Sequence, residues 1–270
     1  MTDSLRKRIS TAVVLAVVLL IVVLWLPAVA TASAVTAMML AGAWEWSGFL
    51  RLPGPALRAV YLICIAALMP IVWHFTAAQK GRDFVLESAL LWWLLALLWI
   101  ALAPRRIAPW SAAIAGVMAL LPAWVALVRL RLDLPRGAEW LLFTLVLVFA
   151  ADIGAFFAGR RFGKLRLAPI VSPGKTWEGA LGGVLAGALV AVLGAEWFEV
   201  PLRALLPLSL AAVGFSIVGD LTESLLKRYA GVKDSGTLFP GHGGVMDRID
   251  SVTGAAPVML LGLTALGVAA

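Results

Sequence analysis

Two stretches of the 270-residue sequence hold side chains whose types and spacing suit chemistry on phosphates. The denser one runs Gly219-Asp220-Leu221-Thr222-Glu223-Ser224-Leu225-Leu226-Lys227-Arg228, then Lys233-Asp234-Ser235-Gly236, then Pro240-Gly241-His242-Gly243-Gly244-Val245-Met246-Asp247-Arg248-Ile249-Asp250. Asp220 and Glu223 are spaced i, i+3 and share a helix face, as do Asp247 and Asp250. Two acidic pairs at two helix ends suit a hard cation, and Mg²⁺ typically takes one or two carboxylates plus substrate phosphates. Lys227, Arg228, Lys233 and Arg248 interleave with these acids. That mixture fits a metal-bound polyphosphate better than a simple cation site; the competing reading is a solvated loop whose charges pair with one another. His242 stands among Gly241, Gly243 and Gly244, where a tight backbone can turn N–H groups towards phosphate. A turn that ends a helix is the plainer alternative. A phosphate oxygen acting as nucleophile is already anionic, so the chemistry asks for no histidine base.

The second stretch is Gly159-Arg160-Arg161-Phe162-Gly163-Lys164, followed by Ser172-Pro173-Gly174-Lys175-Thr176-Trp177-Glu178-Gly179. Glycine and serine let the backbone approach an anion, and Lys175 and Arg160 supply charge. The segment opens an apolar helix whose first N–H groups favour phosphate. A Walker A reading of Pro173–Thr176 fails, because the first glycine of that motif falls on Pro169 and no strand is expected before it. Asp152 lies within an apolar run, about 9 Å inside the end of its helix. An ionisable group at such depth is a candidate for function, as a cation ligand or as a hydrogen-bonding partner of a neighbouring helix. Glu45, between Trp44 and Trp46, reads as structural, in an interfacial aromatic belt.

The elements that must position these residues follow from composition. Hydrophobic residues make up 62 % and charged residues 14 %, and the mean hydropathy is +0.99. Soluble domains are far more charged, and disordered chains are far less apolar. One cysteine, Cys64, and two histidines, His74 and His242, exclude an internal disulfide and a Cys/His zinc cluster. Nine stretches are long and apolar enough to predict helices: 10–26, 31–50, 57–73, 88–104, 110–128, 140–158, 177–195, 202–219 and 251–270. Their continuous apolar runs lack the alternation of a membrane β-barrel. The expectation is an all-α polytopic membrane protein with about nine transmembrane helices. Residues 1–140 would be a scaffold and 141–270 would carry the catalytic loops, in one integrated domain. With the N-terminus in the cytoplasm, 16 of the 22 basic residues fall on that side. Arg6, Lys7, Arg8, the first apolar run and Ala28-Val29-Ala30 also resemble a cleavable signal peptide. The net charge of +7 needs no nucleic-acid partner. The spacing Gly179-x-x-x-Gly183-x-x-x-Gly187 predicts close helix packing, within the subunit or between subunits.

The stretch from Ser224 to Asp250, with the upstream Asp152, Gly159-Arg160, Gly163-Lys164 and Ser172–Gly179, resembles the signature of the phosphatidate cytidylyltransferases (CDP-diglyceride synthetases). The resemblance implies transfer of a cytidylyl group from CTP to phosphatidic acid, giving CDP-diacylglycerol and pyrophosphate. It also implies a Mg²⁺ requirement, a place in the bacterial inner membrane and a homodimer; a further, monovalent cation such as K⁺ is left open. On that reading Asp220 and Asp247 are metal ligands, with Asp250, Glu223 and Asp152 as further candidates. Lys227, Lys233, Asp234 and Arg248 join Asp220 and Asp247 in the catalytic set. Arg160, Ser172, Gly174, Lys175, Thr176, Ser224, Arg228, His242, Gly243 and Gly244 would bind substrate. A CTP-dependent polyprenol or lipid kinase and a cation-coupled transporter are the alternatives. The CDP-alcohol phosphotransferase pattern is absent, and no inverted repeat supports a transporter.

Overall fold

The computed structural model describes residues 13–238 and 243–268. Nine helices form among them: α1 (Val13–Trp25), α2 (Ala28–Ser47), α3 (Pro55–Phe75), α4 (Gln79–Leu102), α5 (Pro109–Leu132), α6 (Gly137–Phe162), α7 (Trp177–Phe198), α8 (Leu202–Ala230) and α9 (Met246–Ala265). Each overlaps one of the nine apolar stretches. Seven of them, α2 to α8, are long and apolar enough to cross a membrane. α1 is shorter, and α9 carries Asp247, Arg248 and Asp250 in its first turns. Prolines punctuate the starts: Pro55 and Pro109 occupy the first positions of α3 and α5, and Pro27 and Pro201 precede α2 and α8. A helix start has unpaired N–H groups anyway, so a residue lacking one fits there. Arg6, Lys7, Arg8 and His242 lie outside the described residues.

α5 is the central pillar, with 72 % of its most apolar stretch buried, against 11 % for α3 at the periphery. α9 packs along α5 and α8, and α2 along α5. On α7, Gly179, Gly183, Gly187, Ala191 and Ala195 form a buried stripe at helical spacing. The opposite stripe, Leu181, Leu185, Leu189 and Leu193, is about three-fifths exposed. Such a continuous leucine face is unfavourable in water and favourable against lipid tails.

Contacts sort the helix ends into two groups. At one end Arg58 of α3 donates to Ser47 Oγ (2.9 Å) and the Trp44 carbonyl (3.1 Å) of α2. There too Trp46 Nε1 donates to the Ala112 carbonyl of α5 (2.9 Å), and Arg51 lies 4.5 Å over the Tyr229 ring near the end of α8. At the other end Arg129 of α5 pairs with Asp133 (2.8 Å) and reaches Thr76 Oγ1 (3.1 Å), while Arg136 donates to the Trp197 carbonyl of α7 (3.1 Å).

α4 begins at Gln79, nine residues before its expected start, and three further local features differ from expectation. The segment between α6 and α7 holds a two-stranded antiparallel hairpin, β1 (Arg166–Ala168) and β2 (Ser172–Thr176), where the sequence predicts only loop. β1 is only three residues long and β2 contains Pro173 and Gly174, so neither carries an apolar alternation. Ala168 and Val171 nonetheless fix the hairpin, packing on Leu221 and Leu225 of α8 and Ile100 of α4. Second, α8 continues past residue 219 to Ala230, so Asp220, Glu223, Lys227 and Arg228 are helical, and Gly231 at φ +76° stops it. Third, α6 runs to Phe162, which puts Asp152 ten residues from the helix end, or about 15 Å rather than 9 Å.

Candidate active site

A cavity of about 690 Å³ opens where α6, β2, α7, α8 and α9 meet. Asp152, Arg160, Gly174, Lys175, Thr176, Asp220, Asp247 and Asp250 line it. It is large enough for a drug-sized ligand. Close helix approach builds its walls. A Cβ on Gly154 would stand 2.7 Å from the Gly182 carbonyl oxygen, and one on Gly183 would stand 2.9 Å from that of Ala151. The predicted small-residue packing is therefore within the subunit, between α6 and α7. Further along, Gly187 faces Val213 of α8. At the α8–α9 crossing, Gly219 lies against the Asp250 carbonyl and Gly254 against that of Phe215. This crossing brings the Asp220–Glu223 pair beside the Asp247–Asp250 pair, which lie far apart in sequence.

The hairpin delivers Lys175 to one wall, beside Arg160 of α6. Thr176 caps α7, its hydroxyl accepting from Gly179 N–H (3.1 Å). Glu178 accepts from the N–H groups of Lys164 (3.1 Å) and Leu165 (3.2 Å), tying the hairpin base to α7. From β2, Lys175 forms an ion pair with Asp220 of α8. Deeper, Lys227 sits between two acids, 2.7 Å from Asp247 Oδ1 and in ionic contact with Glu223. Glu223 is fully buried, and among the described residues neither of its oxygens makes a regular hydrogen bond. Asp247 Oδ2 accepts from the N–H groups of Ser235 (2.9 Å) and Gly244 (2.8 Å). Ser251 Oγ lies 3.4 Å from Asp152 Oδ1, and Ser251 N–H donates to Asp250 (2.8 Å).

Other predicted residues are not on the cavity's lining. Ser224 Oγ donates to Asp220 at 3.4 Å. Arg228, Lys233, Asp234 and Arg248 are exposed, and Ser172 is half-buried on β2. Gly243, at φ +77°, and Gly244 wrap around carboxylates: Gly243 lies against Asp247, and Gly244 gives its N–H to Asp247 instead of presenting it to a ligand. Two residues absent from the predicted set take part. Ser235, between Asp234 and Gly236, bonds Asp247 through both its N–H and its hydroxyl. Glu45 is 9 % exposed and accepts from Val245 N–H (3.0 Å) and Met246 N–H (2.8 Å). The interfacial-belt expectation is corrected here, because Trp46 is buried against α5 and Glu45 points into the protein.

Among the described residues no three acidic, histidine or cysteine side chains converge as a ready metal cage. The donor set still fits a hard divalent cation. Four carboxylates line one cavity, and Mg²⁺ needs only one or two of them when waters and substrate phosphates complete its shell. The four carboxylates outnumber Lys175 and Arg160 on the lining, so a polyphosphate would need the charge of such a cation to be held beside them.

A helical membrane protein with an acid-and-base cavity at one end of its bundle is a candidate for chemistry between a charged soluble molecule and a lipid. The chain belongs to the cytidylyltransferase family, whose model matches residues 6–266. It is 41 % identical to the phosphatidate cytidylyltransferase of Pseudomonas aeruginosa, over 97 % of this chain and 98 % of that one. It is 38 % identical to the protein of the same name from Haemophilus influenzae, over 94 % and 96 %. The Staphylococcus saprophyticus protein of that name is 32 % identical over 78 % of this chain and 79 % of its own.

Proposed function

We propose that this protein transfers the cytidylyl group of CTP to phosphatidic acid, forming CDP-diacylglycerol and releasing pyrophosphate for phospholipid synthesis. The observation that carries the reading is the single cavity lined by Asp152, Asp220, Asp247 and Asp250 together with Arg160 and Lys175, in a chain of this family. A phosphatidate oxygen attacks the α-phosphorus of CTP in line. One P–O bond forms, the α–β bridge breaks, and pyrophosphate leaves with the electron pair; no proton needs to move at the nucleophile. Catalysis of this kind is mostly positioning and charge neutralisation.

The chain's own residues divide that work. Lys175 and Arg160 meet phosphate oxygens at the α6–hairpin wall. Lys227 sits at the floor, where it balances Asp247 and Glu223. Thr176 and Gly174 shape the backbone beside Lys175. Lys233, Arg228 and Arg248, exposed and off the lining, would supply further positive charge to an approaching nucleotide, with Asp234, Ser172 and Ser224 as supporting residues. Asp220, Asp247 and Asp250, with Asp152 at the side and Glu223 behind, are the residues that would hold Mg²⁺. When bound, that ion supplies positive charge to phosphate oxygens. The bacterial inner membrane, the cytoplasmic placing of the cavity end and a homodimer belong to the same proposal. So does the division into a scaffold of residues 1–140 and a catalytic part.

CTP labelled at either the α- or the γ-phosphorus tests the reaction in purified protein with phosphatidic acid and Mg²⁺. The α-label is expected in the lipid and the γ-label in pyrophosphate. Label from the γ-position in the lipid would make the protein a kinase and overturn the proposal.

A further inference from the structure

We propose that Glu45, in the N-terminal half of the chain, is a positioning residue that sets Asp247 for the reaction. The inference deepens the cytidylyl-transfer reading and rests on it. Glu45 lies near the end of α2, about 200 residues from the groups it holds. Its two oxygens accept from Val245 N–H (3.0 Å) and Met246 N–H (2.8 Å), the start of α9. These N–H groups have no partner within the helix, and negative charge is favourable there. Asp247 is the next residue, so this grip fixes the turn that carries Asp247 and Asp250.

A second tie runs through Ser235. Its Oγ lies 2.7 Å from Glu45 Oε2 and 2.9 Å from Asp247 Oδ2. A hydroxyl has one proton, so it serves one carboxylate at a time, and both acids are held to the same atom. The loop is closed around this carboxylate: a Cβ at Gly236 or Gly244 would run into Glu45. An exposed serine or aspartate would suffice to cap a helix. A nearly buried acid from another helix is a costlier choice that couples α9 to the α2–α5 core. The geometry matches that coupling, because Trp46, the next residue, is bonded to α5.

The full-length protein in detergent tests this with Glu45→Gln, Ser235→Ala and the double variant. Glutamine keeps the shape but offers one acceptor oxygen, leaving one α9 N–H facing an amide NH₂. The expected result is a kcat about tenfold lower or more for Glu45→Gln. Amide exchange should accelerate in residues 231–238 and 243–250 and stay unchanged in α6 and α7. The double variant should lose less activity than the two single losses multiplied, as residues acting through one path do. Full activity in Glu45→Gln overturns the inference. So does unchanged exchange at 243–250, and so does an activity loss with exchange rising throughout the bundle, which marks a merely structural role. Absence of transfer by the wild-type protein would instead refute the functional reading, and the exchange pattern would still report whether Glu45 holds α9.

Discussion

Lys175 and Lys227 do similar electrostatic work at two depths, and substitution separates them. The side chains of the Lys175–Asp220 pair are 27 % and 24 % exposed, so after solvent screening the pair is worth at most about 1 kcal/mol of stability. Lys175→Ala should leave the thermal midpoint nearly unchanged and lower the transfer rate about a hundredfold, the usual loss when a preorganised charge on the transition state is removed. Full turnover in Lys175→Ala would remove it from the site. Lys227 instead stands between Glu223, fully buried, and Asp247, nearly so. Lys227→Met leaves two carboxylates without their counter-charge, a loss of about 3–5 kcal/mol. Thermal unfolding in detergent should show a midpoint drop well beyond that of Lys175→Ala; equal midpoints would contradict the assignment. Most of these side chains were legible, because acids and bases interleaved at helical spacing are rare in so apolar a chain. Glu45 was not. Its tryptophan neighbours imitate a membrane-interface belt, and its partners stand some 200 positions away, a relation that no local pattern records.

At the scale of elements, the cavity depends on how closely α6 and α7 approach. A Cβ on Gly182 would run into Ala158 and stand 2.8 Å from the Gly154 carbonyl oxygen, whereas one on Gly214 would meet nothing within 4 Å. Gly182→Ala should cost about 1–3 kcal/mol by overpacking and reduce transfer at least tenfold by moving Arg160 and Lys175 away from Asp220. Gly214→Ala should leave both properties intact. A thermal-shift and activity comparison of the two checks this, and equal behaviour would contradict it. The nine helices were legible because each is a long apolar run. Three boundaries and one element were not; the first turns of α4, with Lys80, Arg82 and Asp83, are too polar to extend its apolar run. Loss of hydrophobicity at residue 219 marks where α8 turns polar, not where it ends; Gly231 ends it, twelve residues later. The β1–β2 hairpin is held by Ala168 and Val171 against α4 and α8, a tertiary cause invisible in strands this short.

For the whole molecule, the helix ends sort into two groups. Arg51, Arg58, Arg160, Lys164 and Lys175 belong to the cavity end, and Arg129 and Arg136 to the opposite one. With Cys64→Ala as background, a cysteine at Lys164 should react with an impermeant thiol reagent only in opened cells. A cysteine at Glu199, just beyond α7, should react in intact ones. The reverse pattern would turn the cavity away from the cytoplasm. The central claim is that this cavity moves a cytidylyl group onto a lipid phosphate and that Asp247 takes part. It is tested most directly by incubating wild-type and Asp247→Asn protein with phosphatidic acid, Mg²⁺ and CTP labelled at the α-phosphorus, and counting label in the lipid. The account predicts labelled lipid from the wild-type protein and a loss of about a hundredfold or more in the folded variant. Equal labelling by the two proteins, or none by the wild type, would contradict it.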